Sequence, residues 1–387
     1  LIFINITIMS CWLLYIFILP LLCFLFRKSK YKFIPFAIIT LLGMFRYDLV
    51  SDYSMYLEAF LDIRDFGYKS IPFIIQHFEI GYIGLNILFS YIPNGWIILF
   101  ALCALFIYSS IYKELKRENI IIFGTFIFII LGYINRFDNI IRQALAMSLF
   151  IYSIHKYIEK GKFFQFIFII IIASLFHKSA LFTIAFYPLI RHIHKINIPV
   201  NKGFILLLLI SLLTITGIIN HIFIFLSDLI NYRDQNIEHE TIVQNNTGLG
   251  VLLYMLILYI PYYGYMKYPY KKEKTHEQIF KMYYVYVLLV IASYNVELIR
   301  RVVEYIVIYA IIAISIYYTQ YRRSSSVLSN ICILYLYISF SIKTINYYGE
   351  SNYQTVLSST AKELKVYLRG NSNINQEQDR NYTYKLR

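Results

Sequence analysis

Five groups of ionisable and hydrogen-bonding residues interrupt the apolar runs of this chain. They are Arg46, Asp48, Asp52, Tyr53 and Tyr56; Glu79 with Gly81, Tyr82 and Asn86; Arg136, Asp138, Asn139, Arg142 and Gln143; His177, Lys178 and Ser179; and Glu297, Arg300, Arg301 and Glu304. Arginine forks match phosphate oxygens two at a time. Carboxylates and a histidine offer a base for a hydroxyl, and tyrosines offer flat faces with a polar edge, suited to sugar rings. A diphosphate clamp beside a base and sugar-friendly walls points to a lipid-diphosphate-linked saccharide. Each group also has a plainer reading. Arg46 and Asp48 could simply pair, Glu79 could cap a helix, and His177 could be a hydrogen-bonded structural histidine. Arg142 and Gln143 open a helix, the wrong end for dipole pairing. Charges at membrane depth are costly unless a cavity or a partner receives them.

The elements that must position these groups are membrane helices. Of 387 residues 59% are apolar and 15% charged, against roughly 25% charged in a soluble domain. Mean hydropathy is +0.58, so too little polar surface remains for a water-soluble enzyme. The fold class expected is an all-α polytopic membrane protein. Twelve apolar runs, from Ile2–Phe26 to Val327–Ile345 and including Ile120–Ile134, read as spans, with ten to fourteen the range. A shorter run, Ile80–Ile92, ends at Pro93-Asn94-Gly95 and reads as a half-helix or re-entrant dip. Residues 1–345 form the transmembrane domain and 346–387 a polar tail, disordered at its end.

Charge sets the orientation. Alternating the spans puts 27–32, 113–119, 156–162, 191–202, 267–281 and 319–326 in the cytoplasm, with 20 Lys/Arg and 5 Asp/Glu. The rest of the chain holds 16 Lys/Arg and 17 Asp/Glu, the asymmetry of the positive-inside rule. Counting 80–92 as a full crossing would erase it. The outer face then receives 46–79, 135–140, 177–179, 227–247, 297–301 and the tail, and with them all five groups. A net charge of +14 does not indicate nucleic acid, because the basic residues sit in short clusters between apolar runs. Cys11, Cys23, Cys103 and Cys332 lie inside apolar stretches and read as packing residues. There is no Gly-rich phosphate loop, paired CxxC or HExxH.

Gly43-Met-Phe-Arg46-Tyr-Asp48, Asp52-Tyr53, Tyr56 and Phe60 are followed by Glu79-Ile-Gly81-Tyr82 and Leu85-Asn86. Next come Asn139-Ile-Ile-Arg142-Gln143-Ala-Leu-Ala146 and Phe176-His177-Lys178-Ser179-Ala180-Leu181. In this order the motifs resemble the EpsG family of exopolysaccharide and O-antigen (Wzy-type) polymerases over residues 33–190, with a weaker echo at Arg300 to Tyr305. The resemblance implies a multi-pass protein of the bacterial inner membrane. Its activity would join undecaprenyl-diphosphate-linked repeat units on the outer face, beside a flippase and a chain-length regulator of the same pathway. In that reading Arg142, Arg300 and Arg301 hold the diphosphate, with Arg46 a further candidate beside Asp48 and Gln143. Asp52 is the favoured base and His177 the second choice. Glu79, Tyr53 and Tyr56 orient sugar, and no metal or other cofactor is required. An O-antigen ligase and a lipid-linked oligosaccharide flippase are the alternatives. A flippase would line both halves of the membrane with polar residues, whereas here they gather at one face.

Overall fold

The computed structural model describes residues 10–47, 51–219, 221–222, 249–268, 273–294, 296–321, 326–348, 356, 363–366 and 380–383. Asp48 and the 227–247 loop, expected outside, lie beyond the described residues. Most of what is described is helix. A π-helical turn leads into α1 (Leu19–Phe26), and α2 (Ile34–Phe45) starts on Pro35, where the missing N–H costs nothing. Then come α3 (Tyr53–Phe66), α4 (Ile80–Ser90), α5 (Gly95–Arg117), α6 (Ile121–Ile130), α7 (Tyr133–Asn139), α8 (Ile141–Ser153) and α9 (Phe163–Ser174). The second half holds α10 (Phe186–His192), α11 (Val200–Ile215), α12 (Leu249–Met266), α13 (Lys274–Ala292), α14 (Glu297–Val303), α15 (Val307–Ile316) and α16 (Ser326–Tyr348). Among the described tail residues, β1 (Glu363–Val366) pairs antiparallel with β2 (Arg380–Thr383).

Three helical stretches among the described residues are long and apolar enough to cross a membrane: Gly95–Arg117, Leu298–Tyr321 and Val327–Tyr348. Six others, including Ile34–Phe45, Ile80–Ser90 and Phe163–Ser174, are apolar but shorter. The run expected as one span at Ile120–Ile134 is broken. Gly132 takes φ +79, a left-handed conformation that favours glycine, and α7 leaves α6 at 68°. The expected 135–140 loop is therefore helix. The Ile80–Ile92 run forms an 11-residue helix, about 16 Å long and too short for a hydrocarbon core of about 30 Å.

Every residue of α15 is buried, so the second half packs around it. Abundant tyrosine serves this core as apolar area with a satisfied hydroxyl. Tyr259, Tyr262 and Tyr284 donate to the carbonyls of Val200 (2.7 Å), Ile198 (2.8 Å) and Gly203 (2.7 Å). Each bond closes a backbone acceptor that lipid could not.

Hydrogen bonds between the expected loops fall into two sets. One joins Glu114 to His155 and Arg117, Arg191 to Ile158, Lys281 to His194, Gln278 to Ile190 and His276 to Tyr321. The other joins Arg46 to Asp138, Ser51 to Asn139 and Tyr347, Glu79 to Arg142 and Lys178, and Gln143 to Arg301. Arg142 and His155 lie on one helical stretch, thirteen residues or about 20 Å apart, so the sets occupy opposite ends. The first set joins segments that charge places in the cytoplasm, with His155 and Ile190 at the ends of the adjoining runs, and the second joins segments it places outside, with Arg142 and Gln143 at the start of the Ile141–Ile158 run. The four native cysteines are buried. An impermeant thiol reagent added outside is therefore expected to label Lys69→Cys and spare Lys30→Cys; labelling of both would break this partition.

Candidate functional site

The site is built where α4 meets the end of α9. The Gly81 N–H donates to Leu175 O at 2.7 Å, and a Cβ on Gly81 would lie 2.6 Å from that oxygen. Only glycine permits the approach, which explains the residue after Glu79-Ile. It sets Glu79, the residue capping α4, beside the turn that carries His177. One Glu79 oxygen accepts from the Lys178 N–H at 3.3 Å, and the other pairs with the Arg142 guanidinium. Arg142 also donates to His77 O at 2.8 Å. Its guanidinium lies 4.6 Å from the centre of the Phe78 ring and 5.8 Å from that of Tyr56, two aromatic faces that attract the charge.

Asp52 stands one turn before Tyr56, at the cap of α3. Its N–H donates to Asn139 Oδ1 at 3.0 Å. The Ser51 hydroxyl lies 3.1 Å from the Asp52 carboxylate and 3.0 Å from the same Asn139 oxygen. Since Asn139 ends α7 and Arg142 begins α8, these contacts tie the start of α3 to the α7–α8 junction.

On the other side, the Gln143 amide donates to Arg301 O at 2.7 Å and Glu304 Oε2 at 3.0 Å, while Arg136 Nε donates to Glu304 Oε1 at 2.6 Å. Gln143 is thus a buried brace on α14, which carries exposed Arg300 and half-buried Arg301. Burial, with the positive charges of Arg142 and Arg301, pushes His177 down to about 3. The imidazole is neutral at any cellular pH.

Two candidates sit elsewhere. Arg46 is buried; it bonds Gly43 O, donates to Asp138 O at 3.1 Å and pairs with the Asp138 carboxylate at 3.2 Å. Tyr108 donates to the same carboxylate at 2.9 Å. A Cβ on Gly43 would lie 2.6 Å from the Tyr108 ring, so that glycine lets α2 lie against α5. Tyr53 is fully buried, its ring 5.7 Å from Tyr47 and 5.4 Å from Phe100. Sequence reasoning missed Phe78 and Tyr108, and among 31 Phe and 39 Tyr no signal marks them. Among the described residues no group of three His, Cys, Asp or Glu could hold a metal ion.

A helical membrane protein with a cluster of arginines, carboxylates and a neutral histidine at one end of its helices is the class these features define. The chain belongs to the EpsG family, whose model matches residues 29–356, most of its length. That family is associated with Wzy-type polymerases, and membership implies a polymerase-type enzyme of the membrane in general. No curated protein and no solved structure matches it.

Proposed function

We propose that the chain polymerises undecaprenyl-diphosphate-linked oligosaccharide repeat units on the outer face of the bacterial inner membrane. The observation that carries this reading is the linkage of Arg142, through Glu79, to the turn that carries His177 and, through the neighbouring Gln143, to α14 with its Arg300 and Arg301, while Asn139, three residues before Arg142, holds the Asp52 N–H. In the reaction, the bond between the sugar's anomeric carbon and the diphosphate of the growing chain breaks. The hydroxyl oxygen of the incoming unit bonds to that carbon, its proton passes to Asp52, and the lipid diphosphate leaves as an anion. Positive charge fixed before the bond breaks lowers the barrier without reorganisation. Arg142, Arg300 and Arg301 supply it. Glu79 pairs with the Arg142 guanidinium, so a diphosphate bound there competes with that carboxylate. Tyr56, expected to orient sugar, is buried against Phe78 and Tyr82 and supports Arg142 instead. Arg46 and Tyr53 support the scaffold, the first through Asp138 and the second through aromatic packing.

Deletion in a lipopolysaccharide-making host is expected to leave one repeat attached and no ladder, with the flippase and any chain-length regulator intact. Long polymer stranded on its carrier would instead make the protein a ligase, and units trapped inside would make it a flippase. Arg142→Lys should also fail, because a point charge cannot reproduce the fork. A charge-assisted hydrogen bond is worth roughly 1.5–3 kcal/mol, so polymer should fall about ten- to a hundredfold at normal protein level. A full ladder from Arg142→Lys would remove that residue from the clamp.

A further inference from the structure

His177 has one ring nitrogen accounted for. The Ser179 N–H points at Nδ1 from 3.4 Å, and the Ser179 hydroxyl lies 2.6 Å from the same atom. A backbone N–H can only donate, so Nδ1 accepts, and in a neutral ring the proton sits on Nε2. With its own proton turned to Nδ1, the buried Ser179 hydroxyl accepts from Tyr305, 3.1 Å away. Tyr305 is itself fixed, wholly buried with its ring perpendicular to Phe150. The chain of donors runs one way, Tyr305 to Ser179 to His177, and Nε2 makes no hydrogen bond among the described residues.

We propose that His177 is a neutral hydrogen-bond donor that presents Nε2–H to a diphosphate oxygen, with Ser179 and Tyr305 as the positioning residues that fix its tautomer. The polymerase reading supplies the identity of the ligand; the tautomer stands without it. A neutral donor suits this place. Burial disfavours a charged ring here, and the nearby positive charges of Arg142 and Arg301 add to that. A neutral N–H adds a bond to the anion at no such cost. The same geometry takes His177 out of contention as the base, because its accepting nitrogen is occupied inside the protein.

Two measurements test this. In the purified full-length chain, labelled with 15N-histidine in nanodiscs, the His177 signals are assigned by their loss in His177→Gln. Nδ1 should be pyridine-type and Nε2 pyrrole-type at pH 7, unchanged to pH 5, and Nε2 should move when farnesyl diphosphate is added. Ser179→Ala and Tyr305→Phe should shift the tautomer population, which a merely structural role would not do. Protonation near pH 6.5, the opposite tautomer or an unmoved Nε2 would each overturn the proposal. In cells, glutamine can donate from the position of Nε2 but is no base, so His177→Gln should keep the ladder within about tenfold, as expected for one retained hydrogen bond. His177→Leu should lose at least tenfold more. Glutamine failing as badly as leucine, or leucine performing as wild type, would refute the donor role. A wild-type chain that builds no ladder sinks the polymerase reading while leaving the resonance result to stand.

Discussion

Asp138→Ala is expected to abolish accumulation of folded protein. The variant leaves the Arg46 guanidinium, with a side-chain exposure of 2%, facing Tyr108 with its countercharge removed. Breaking a buried ion pair by deleting one partner costs about 3–5 kcal/mol, against a total stability of about 5–15 kcal/mol. Tagged protein extracted in mild detergent should lose its monodisperse elution peak. The double variant Arg46→Met/Asp138→Leu should recover it, since apolar replacements of similar volume commonly match or exceed a buried pair. That variant also decides the role of Arg46. If it folds and polymerises, the arginine is scaffold; if it folds and makes no polymer, Arg46 belongs with the substrate.

Asp52→Asn is expected to remove polymer while leaving folded protein at its normal level. Asparagine caps a helix as well as aspartate does, and the backbone bond to Asn139 does not involve the side chain. What is lost is proton acceptance, for which a positioned base contributes about 10²–10⁴-fold in rate. A gel of the saccharide should show one repeat and no ladder. A normal ladder would move the base to Glu79, the carboxylate paired with Arg142.

Much of this was legible in the sequence because membrane proteins sort their residues by depth. Charge counting separated the loops into two classes, and the same classes are bonded together at the two ends. The motif residues around Glu79, Arg142 and His177 also meet, as their spacing at helix ends required. What was not legible depends on tertiary pairing. Arg46 and Asp138 are ninety-two residues apart, and nothing local marks them as partners. The break at Gly132 hid inside an apolar run whose composition suited a continuous helix. Ser179 and Tyr305 matter through a relay closed across 126 residues, and a lone tyrosine in a tyrosine-rich chain carries no such message.

The stunted helices α4 and α9 have a consequence for the lipid around them. They touch at Gly81 and Leu175, and each turns bulky apolar side chains outward: Ile80 and Leu88 from the first, Phe164 and Phe168 from the second. At eleven and twelve residues they offer the surrounding acyl chains an apolar height of about 16–18 Å. A leaflet meeting so low a wall thins or tilts to match it. Beside this wall the headgroup plane would sink toward Arg142, letting a phosphate still anchored by its hydrocarbon tail arrive sideways at the guanidinium without leaving the bilayer.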